Sequence, residues 1–216
     1  MEIVFLVFDG ITPLDAIGPF DVLGRLPGAT IKFVGIKKGP ARTKGGTCAL
    51  FADYTIDEVM AADILVVPGG PGAGGISGPG LSIDPVVTGW VRDVHRKTTW
   101  TTSVCTGALI LGGAGLLKGL RAATHWRAEN DLASFGANPV HERVVFEDKS
   151  RIVTAAGVSS GIDMALRLAD RVAGADIAKA IQLQIEYDPE PPYDTGSLRK
   201  APPGLAEIAA TRLNRP

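Results

Sequence analysis

Residues 99–117 read TWTTSVCTGALILGGAGLL. A run rich in β-branched residues stops at Cys105, and a run of small and apolar residues follows it. The first half is apolar on both faces, as a strand must be when helices cover both sides of a parallel sheet. The second half, from Ala108 to Leu117, predicts a buried helix closed by Lys118 and Gly119. A strand passing directly into a helix sets the theme for the rest of the chain.

Three further runs of the same kind, Ile3 to Phe8, Ile31 to Ile36 and Ile64 to Val67, predict strands, and the cysteine run itself extends back to Thr98. Between the last two strands lies DPVVTGWVRDVHRK, with Val86, Val87, Trp90, Val91 and Val94 spaced for one helix face. WRAENDLASFG predicts a short helix ending at Gly136. RVVFED and RIVTAAG flank the polar turn DKS and predict a hairpin or neighbouring strands. Ser159 or Ser160 is placed to cap a helix through Val172, and Ala175 to Ile185 predicts another. CALFADYTIDEV, at residues 48–59, predicts a small strand and a turn. Strand–helix alternation implies an α/β three-layer sandwich with right-handed crossovers. Residues 1–197 read as a single domain, and residues 198–216 as a C-terminal tail. The proline-rich stretch from Pro189 onward cannot begin as regular helix and predicts a segment laid across the surface or a partner.

The bulk properties exclude several classes. The chain has 216 residues, of which 45% are hydrophobic, and a formal net charge of -1. That suits a globular protein with a buried core. The basic patch GIKKGPARTK reads as a solvated loop, not a nucleic-acid footprint. Two cysteines, Cys48 and Cys105, are too few for a disulfide-stapled secreted protein of this size. The N-terminus lacks the basic start and cleavage site of a signal peptide, and no apolar run reaches the ~18 residues of a membrane span. The expectation is a cytoplasmic protein with reduced thiols, bound neither to a membrane nor to nucleic acid.

Open α/β sheets bind ligands at the carboxyl ends of their strands, where Cys105 falls. Its sulfur would face the free N–H groups of a helix start, which lowers a thiol pKa from ~8.5 towards neutrality. Ser103-Val104-Cys105-Thr106-Gly107 also has the form of a strand–nucleophile–helix elbow, with Gly107 giving room for the reversal. A buried structural cysteine is the competing reading; Cys48, without such a corner, reads as structural. VVPGGPGAGG follows the third strand, and the amides of Gly69, Gly70 and Thr106 are candidates for an oxyanion-type pocket. Residues 70–75 match GxGxxG, but Pro71 removes a donor and ISGPGLS follows where a helix should begin, so a dinucleotide site is rejected. Of the three histidines, His95 and His141 read as solvated or exposed. His125 can approach the cysteine but fits a packing or capping role as well. No histidine–carboxylate spacing suggests a metal. Asp15 lies after the first strand at the same edge, amid apolar residues. A desolvated carboxyl there would have a raised pKa and could pass a proton to substrate. A first-turn helix acid is the alternative, and Asp9 and Asp21 compete for the role.

FDGITPLDAIGPFDVL, VVPGG, SVCTGALILGGAGLLKGLRAATHW, GVSSGIDMALRLA and QLQIEYDPEPPYDTG together resemble the ThiJ/PfpI superfamily, and within it the isocyanide (isonitrile) hydratase branch. The resemblance implies a flavodoxin-like single domain with a mostly parallel sheet, and a homodimer; no cofactor is expected. It implies a reactive Cys105 hydrogen-bonded to an acid at Asp15. It also implies substrate-facing amides at Thr106 and Gly70, and a pocket bordered by Val158 and Tyr187. The implied activity is hydration of a small-molecule isocyanide to an N-formamide; the alternative is a redox- or ligand-sensing cysteine without turnover. Thr106 stands where the protease-like branch carries histidine, which disfavours peptidase activity. Too few residues follow the domain for the helix-turn-helix module of the regulator branch.

Overall fold

The structure, a computed structural model, describes residues 1–75, 78 and 80–212. Its elements, in chain order, begin with β1 (Glu2–Leu6), α1 (Pro13–Leu23), β2 (Thr30–Gly35), β3 (Gly39–Arg42), β4 (Ala49–Ala52), β5 (Tyr54–Thr55) and β6 (Ile64–Val67). They continue through α2 (Pro85–His95), β7 (Trp100–Val104), α3 (Gly107–Gly113), β8 (Arg121–Ala122), α4 (Glu129–Ser134) and β9 (Asn138–Pro139). The chain closes with β10 (Val144–Glu147), β11 (Ile152–Ala155), α5 (Ser160–Ala173), α6 (Ala175–Gln184) and α7 (Leu205–Arg212).

Seven strands form the main sheet in the order β10-β11-β7-β6-β1-β2-β5. Every pairing is parallel except β10 with β11, the expected hairpin. Central strands must be apolar on both faces, and all four residues of β6 are buried, as are Ile3 to Leu6 of β1. Helices lie on both faces. Thr101 of β7 bonds His95 of α2, whereas Val104, three residues on, packs against Gly161 of α5. Alternation along the strand puts those helices on opposite sides. Helices α1 and α5 meet through small residues: Gly18 lies against Ile162, and Gly161 against Pro19. That close approach locks the turn after β1 to the turn after β11, at the edge where the site lies.

The α/β sandwich and its mostly parallel sheet agree with the sequence reading. Several details differ. The helix after Cys105 ends at Gly113, short of Leu117, because Gly112, Gly113 and Gly115 propagate a helix poorly and Gly115 turns to φ 76°. Val86 is 58% exposed, so the buried face of α2 is Val87, Trp90, Val91 and Val94. The basic patch is not only loop: Gly39–Arg42 pairs antiparallel with Ala49–Ala52, and the 48–59 segment contributes both β4 and the edge strand β5. Neither serine caps α5 with its side chain; Ser159 is already in the helical region and Ser160 is buried within the first turn. The tail bears α7, and residues 213–216 of the tail lie outside the described residues. Among the described residues no helix is long and apolar enough to cross a membrane.

Candidate active site

Cys105 follows the last residue of β7 and adopts φ 58°, the left-handed region that costs a non-glycine residue about 1–3 kcal/mol. The surroundings impose it. Its N–H donates to the carbonyls of Ala155 (3.2 Å) and Ala156 (2.8 Å), and its own carbonyl accepts from the Thr124 hydroxyl at 2.9 Å. Gly107 makes the reversal possible: a Cβ there would collide with the carbonyls of Val67 and Pro68. The elbow read from the sequence is therefore present.

Asp15, in the first turn of α1, has no exposed surface. The Gly69 N–H donates to its Oδ2 at 3.0 Å. Its Oδ1 is buried and, among the described residues, has no partner of hydrogen-bonding geometry. The Cys105 thiol is the side chain that interacts with this carboxyl. Burial dominates the titration: it raises the Asp15 pKa from 3.8 to about 7, against smaller opposing pulls from the Gly69 amide and the Cys105 thiol. The desolvated acid inferred from the sequence is thus seen, and neither competitor reaches the site. Asp9 accepts from the Arg42 N–H, and Asp21 pairs with Arg25 on the surface.

The sequence expectation of a resting thiolate is corrected. Cys105 is 5% exposed, and burial pushes its thiol well above the cysteine range. A charged Asp15 pushes it further, while the N–H groups of Val158 and Thr106, both directed at the sulfur, pull back less. The helix that was to supply a stabilising field has only seven residues. At neutral pH the pair therefore holds a protonated sulfur beside a carboxyl poised between its two forms.

The expected amide pocket is also rearranged. The Gly69 N–H is committed to Asp15, and the Gly70 N–H donates to Thr106 Oγ1 at 2.8 Å. That hydroxyl in turn donates to the Gly70 carbonyl at 3.1 Å. Gly70 holds φ 135°, with no room for a side chain against the Gly10 carbonyl. These two amides position the acid and the turn, leaving Thr106 and Val158 as the amides on the sulfur. Val158 sits at φ 35°, a rare conformation for a β-branched residue, and turns its amide to Cys105. Tyr187 does not meet the sulfur; its hydroxyl donates to Asp163 at 3.2 Å, and Asp163 also pairs with Arg143.

His125 accepts from the Arg127 N–H at 3.3 Å and packs over Gly157, where a Cβ would come within 2.9 Å of the ring. Burial, reinforced by Arg127, lowers its pKa, so it braces the Val158 turn as a neutral ring. His95 is half-buried on Thr101, not solvated, and His141 is exposed on Glu129. Cys48 is exposed in the turn that joins β3 to β4, with no buried structural role. Thr124, whose hydroxyl fixes the Cys105 carbonyl, was not singled out by sequence, because the contact joins segments with no shared pattern. No group of three or more metal-ligating side chains occurs among the described residues.

The profile of the DJ-1/PfpI family matches residues 1–171. The isonitrile hydratase of Pseudomonas putida is 38% identical over 212 residues, covering 98% of this chain and 90% of that protein. The HTH-type transcriptional regulator CdhR of Pseudomonas aeruginosa is 26% identical over 146 residues, covering 68% of this chain but 41% of the regulator. Among solved structures, a ThiJ/PfpI family protein from Pseudomonas syringae superposes with a TM-score of 0.87 at 34% identity, covering 98% of this chain and 85% of that one. Schizosaccharomyces pombe DJ-1 shares the fold, with a TM-score of 0.72 at 20% identity over 87% of this chain and 100% of its own.

Proposed function

Because the chain belongs to the DJ-1/PfpI family, we propose that it is a cysteine-dependent hydratase converting an organic isocyanide, R–N≡C, to the N-formamide. The observation that carries this reading is the fully buried Asp15 carboxyl, held by the Gly69 amide beside the buried Cys105 thiol, with burial pushing the acid up to about 7. Such an acid matches the proton transfers of hydration near neutral pH. Similarity to a named isonitrile hydratase over nearly the whole chain supports the same substrate class.

The reaction begins with the Asp15 carboxylate. It takes the S–H proton as sulfur bonds to the terminal isocyanide carbon. The carbon's electron pair then takes that proton from Asp15, leaving a thioimidate, R–N=CH–S–Cys105. Asp15, again a carboxylate, removes a proton from water as the water oxygen attacks the same carbon, and returns it to nitrogen. The adduct R–NH–CH(OH)–S–Cys105 collapses: the C–S bond breaks, and the hydroxyl proton returns through Asp15 to sulfur. The products are R–NH–CHO and the original thiol, so no cofactor is consumed. The Thr106 and Val158 amides hold the negative charge that gathers on sulfur during attack and departure. A raised thiol pKa suits this route, since a more basic sulfur is the stronger nucleophile once its proton moves.

The same burial counts against a redox sensor, because oxidants attack accessible thiolates first. The reading also takes the protein as a cytoplasmic homodimer. Incubating purified protein with cyclohexyl isocyanide and measuring N-cyclohexylformamide by chromatography tests the activity. Repeated turnover by the wild type, absent in Cys105→Ala, is expected. Stoichiometric cysteine oxidation with no formamide would favour the sensor.

A further inference from the structure

We propose that Arg143 is a positioning residue for the Cys105 site: its guanidinium straps the turn at 156–159 and so holds the Val158 amide in place. The inference rests on the reading of Cys105 as the nucleophile. It names a residue that acts through this turn and not on the reacting atoms.

The turn needs a restraint. Val158 has φ 35°, and a strained β-branched residue persists only where its surroundings over-determine it. Its N–H is one of the two directed at the sulfur, so a relaxed turn would carry that donor away. Arg143 holds the turn at both ends. Its carbonyl accepts from the Ala156 N–H at 3.0 Å, and the Ala156 carbonyl accepts in turn from the Cys105 N–H at 2.8 Å. Its Nη2 donates to the hydroxyl of Ser159, the residue after Val158, at 3.4 Å. Its Nε donates to Asp163 Oδ2, one turn further along α5. The Tyr187 hydroxyl donates to the other oxygen of Asp163 at 3.2 Å, which fixes the carboxylate that aims the guanidinium.

A role in bulk stability does not account for this arrangement. Arg143 is exposed and Asp163 half-buried, and ion pairs open to solvent contribute little to folding. A guanidinium supplies geometry instead: a planar fork whose donors reach two acceptors in fixed directions, which a lysine ammonium does not reproduce. The bond from Ala156 to the Arg143 carbonyl survives any side-chain replacement, so substitution releases the Ser159 end alone. The nearby Arg121–Glu142 pair is also exposed but joins β8 to the segment before β10, which makes it the control.

Nitrogen-15 NMR of the full chain reads the Val158 amide directly. In Arg143→Ala and Arg143→Lys its proton should move upfield and exchange faster with deuterated solvent, while Arg121→Ala leaves both unchanged. With cyclohexyl isocyanide, kcat of the two Arg143 variants should fall about tenfold with KM unchanged, the pattern of a lost transition-state contact. Urea midpoints should stay close to that of the wild type. If the Arg143 variants fail to fold, Ser159→Ala, at an exposed hydroxyl, decides by the same readings. The NMR measurement uses no isocyanide, so a wild type that makes no formamide removes the hydratase reading and still leaves the strap to be judged. A Val158 amide unmoved in Arg143→Ala overturns the proposal. So does wild-type kcat with a displaced amide, full retention of shift and kcat by Arg143→Lys, or an equal displacement in Arg121→Ala.

Discussion

The carboxyl of Asp15 and the thiol of Cys105 stand at two different strand–helix turns, yet among the described residues each is the one titratable side chain named as acting on the other. Asp15 is fixed by the Gly69 amide, Cys105 by the Ala155 and Ala156 carbonyls, and Val158 and Thr106 direct their amides at the sulfur. Four segments following four parallel strands therefore converge on one proton. Such convergence is what the carboxyl edge of an open sheet offers.

The pH dependence of turnover follows from which form of Asp15 acts. The carboxylate must receive the thiol proton, and burial holds its pKa at about 7. The value of kcat/KM for an isocyanide should rise with pH through an apparent pKa near 7 and level off above it. A profile falling with rising pH across that range would mean that a protonated Asp15 starts the reaction instead.

Replacing the acid should separate activity from stability. Asp15→Asn removes the proton carrier, and loss of a general acid–base group typically costs about 10²–10⁴ in rate. The same change should stabilise the fold. A carboxyl whose pKa rises on folding, here from 3.8 to about 7, carries a penalty of about 4 kcal/mol when ionised. That penalty is absent well below pH 4, grows as pH rises towards 7 and is constant above. Urea denaturation should therefore show a larger gain for Asp15→Asn at pH 8 than at pH 5.

Thr106 tests the rearranged turn. Thr106→Val leaves the buried Gly70 N–H without its 2.8 Å partner, at a cost of about 1–3 kcal/mol. Thr106→Ser retains the hydroxyl and should keep most of the stability and turnover, whereas Thr106→Val should lose both. Equal denaturation midpoints for the two variants would remove the hydroxyl from the account.

What the sequence disclosed follows the range of the interactions. The buried strands of the parallel sheet were legible because each is a short apolar run whose burial on both faces is a local property. The Cys105 elbow was legible for the same reason, since strand, nucleophile and glycine are consecutive. The ionisation of that sulfur was not. A helix start beside a thiol argues for a thiolate, but the outcome depends on burial and on a carboxyl from another turn, both non-local. Likewise the Gly69 and Gly70 amides resembled free donors until the fold brought Asp15 and the Thr106 hydroxyl to them. The strained φ of Val158 left no mark in its residue type, because valine is among the residues least suited to it.

The central claim is that the isocyanide carbon becomes bonded to the Cys105 sulfur after Asp15 accepts the thiol proton. Rapid-quench intact-mass spectrometry during a single turnover tests it most directly. The account predicts a transient species heavier than the protein by one isocyanide, mapped to Cys105 by peptide sequencing and missing from Cys105→Ala, which makes no formamide. Formamide release at the wild-type rate by Cys105→Ala would contradict it.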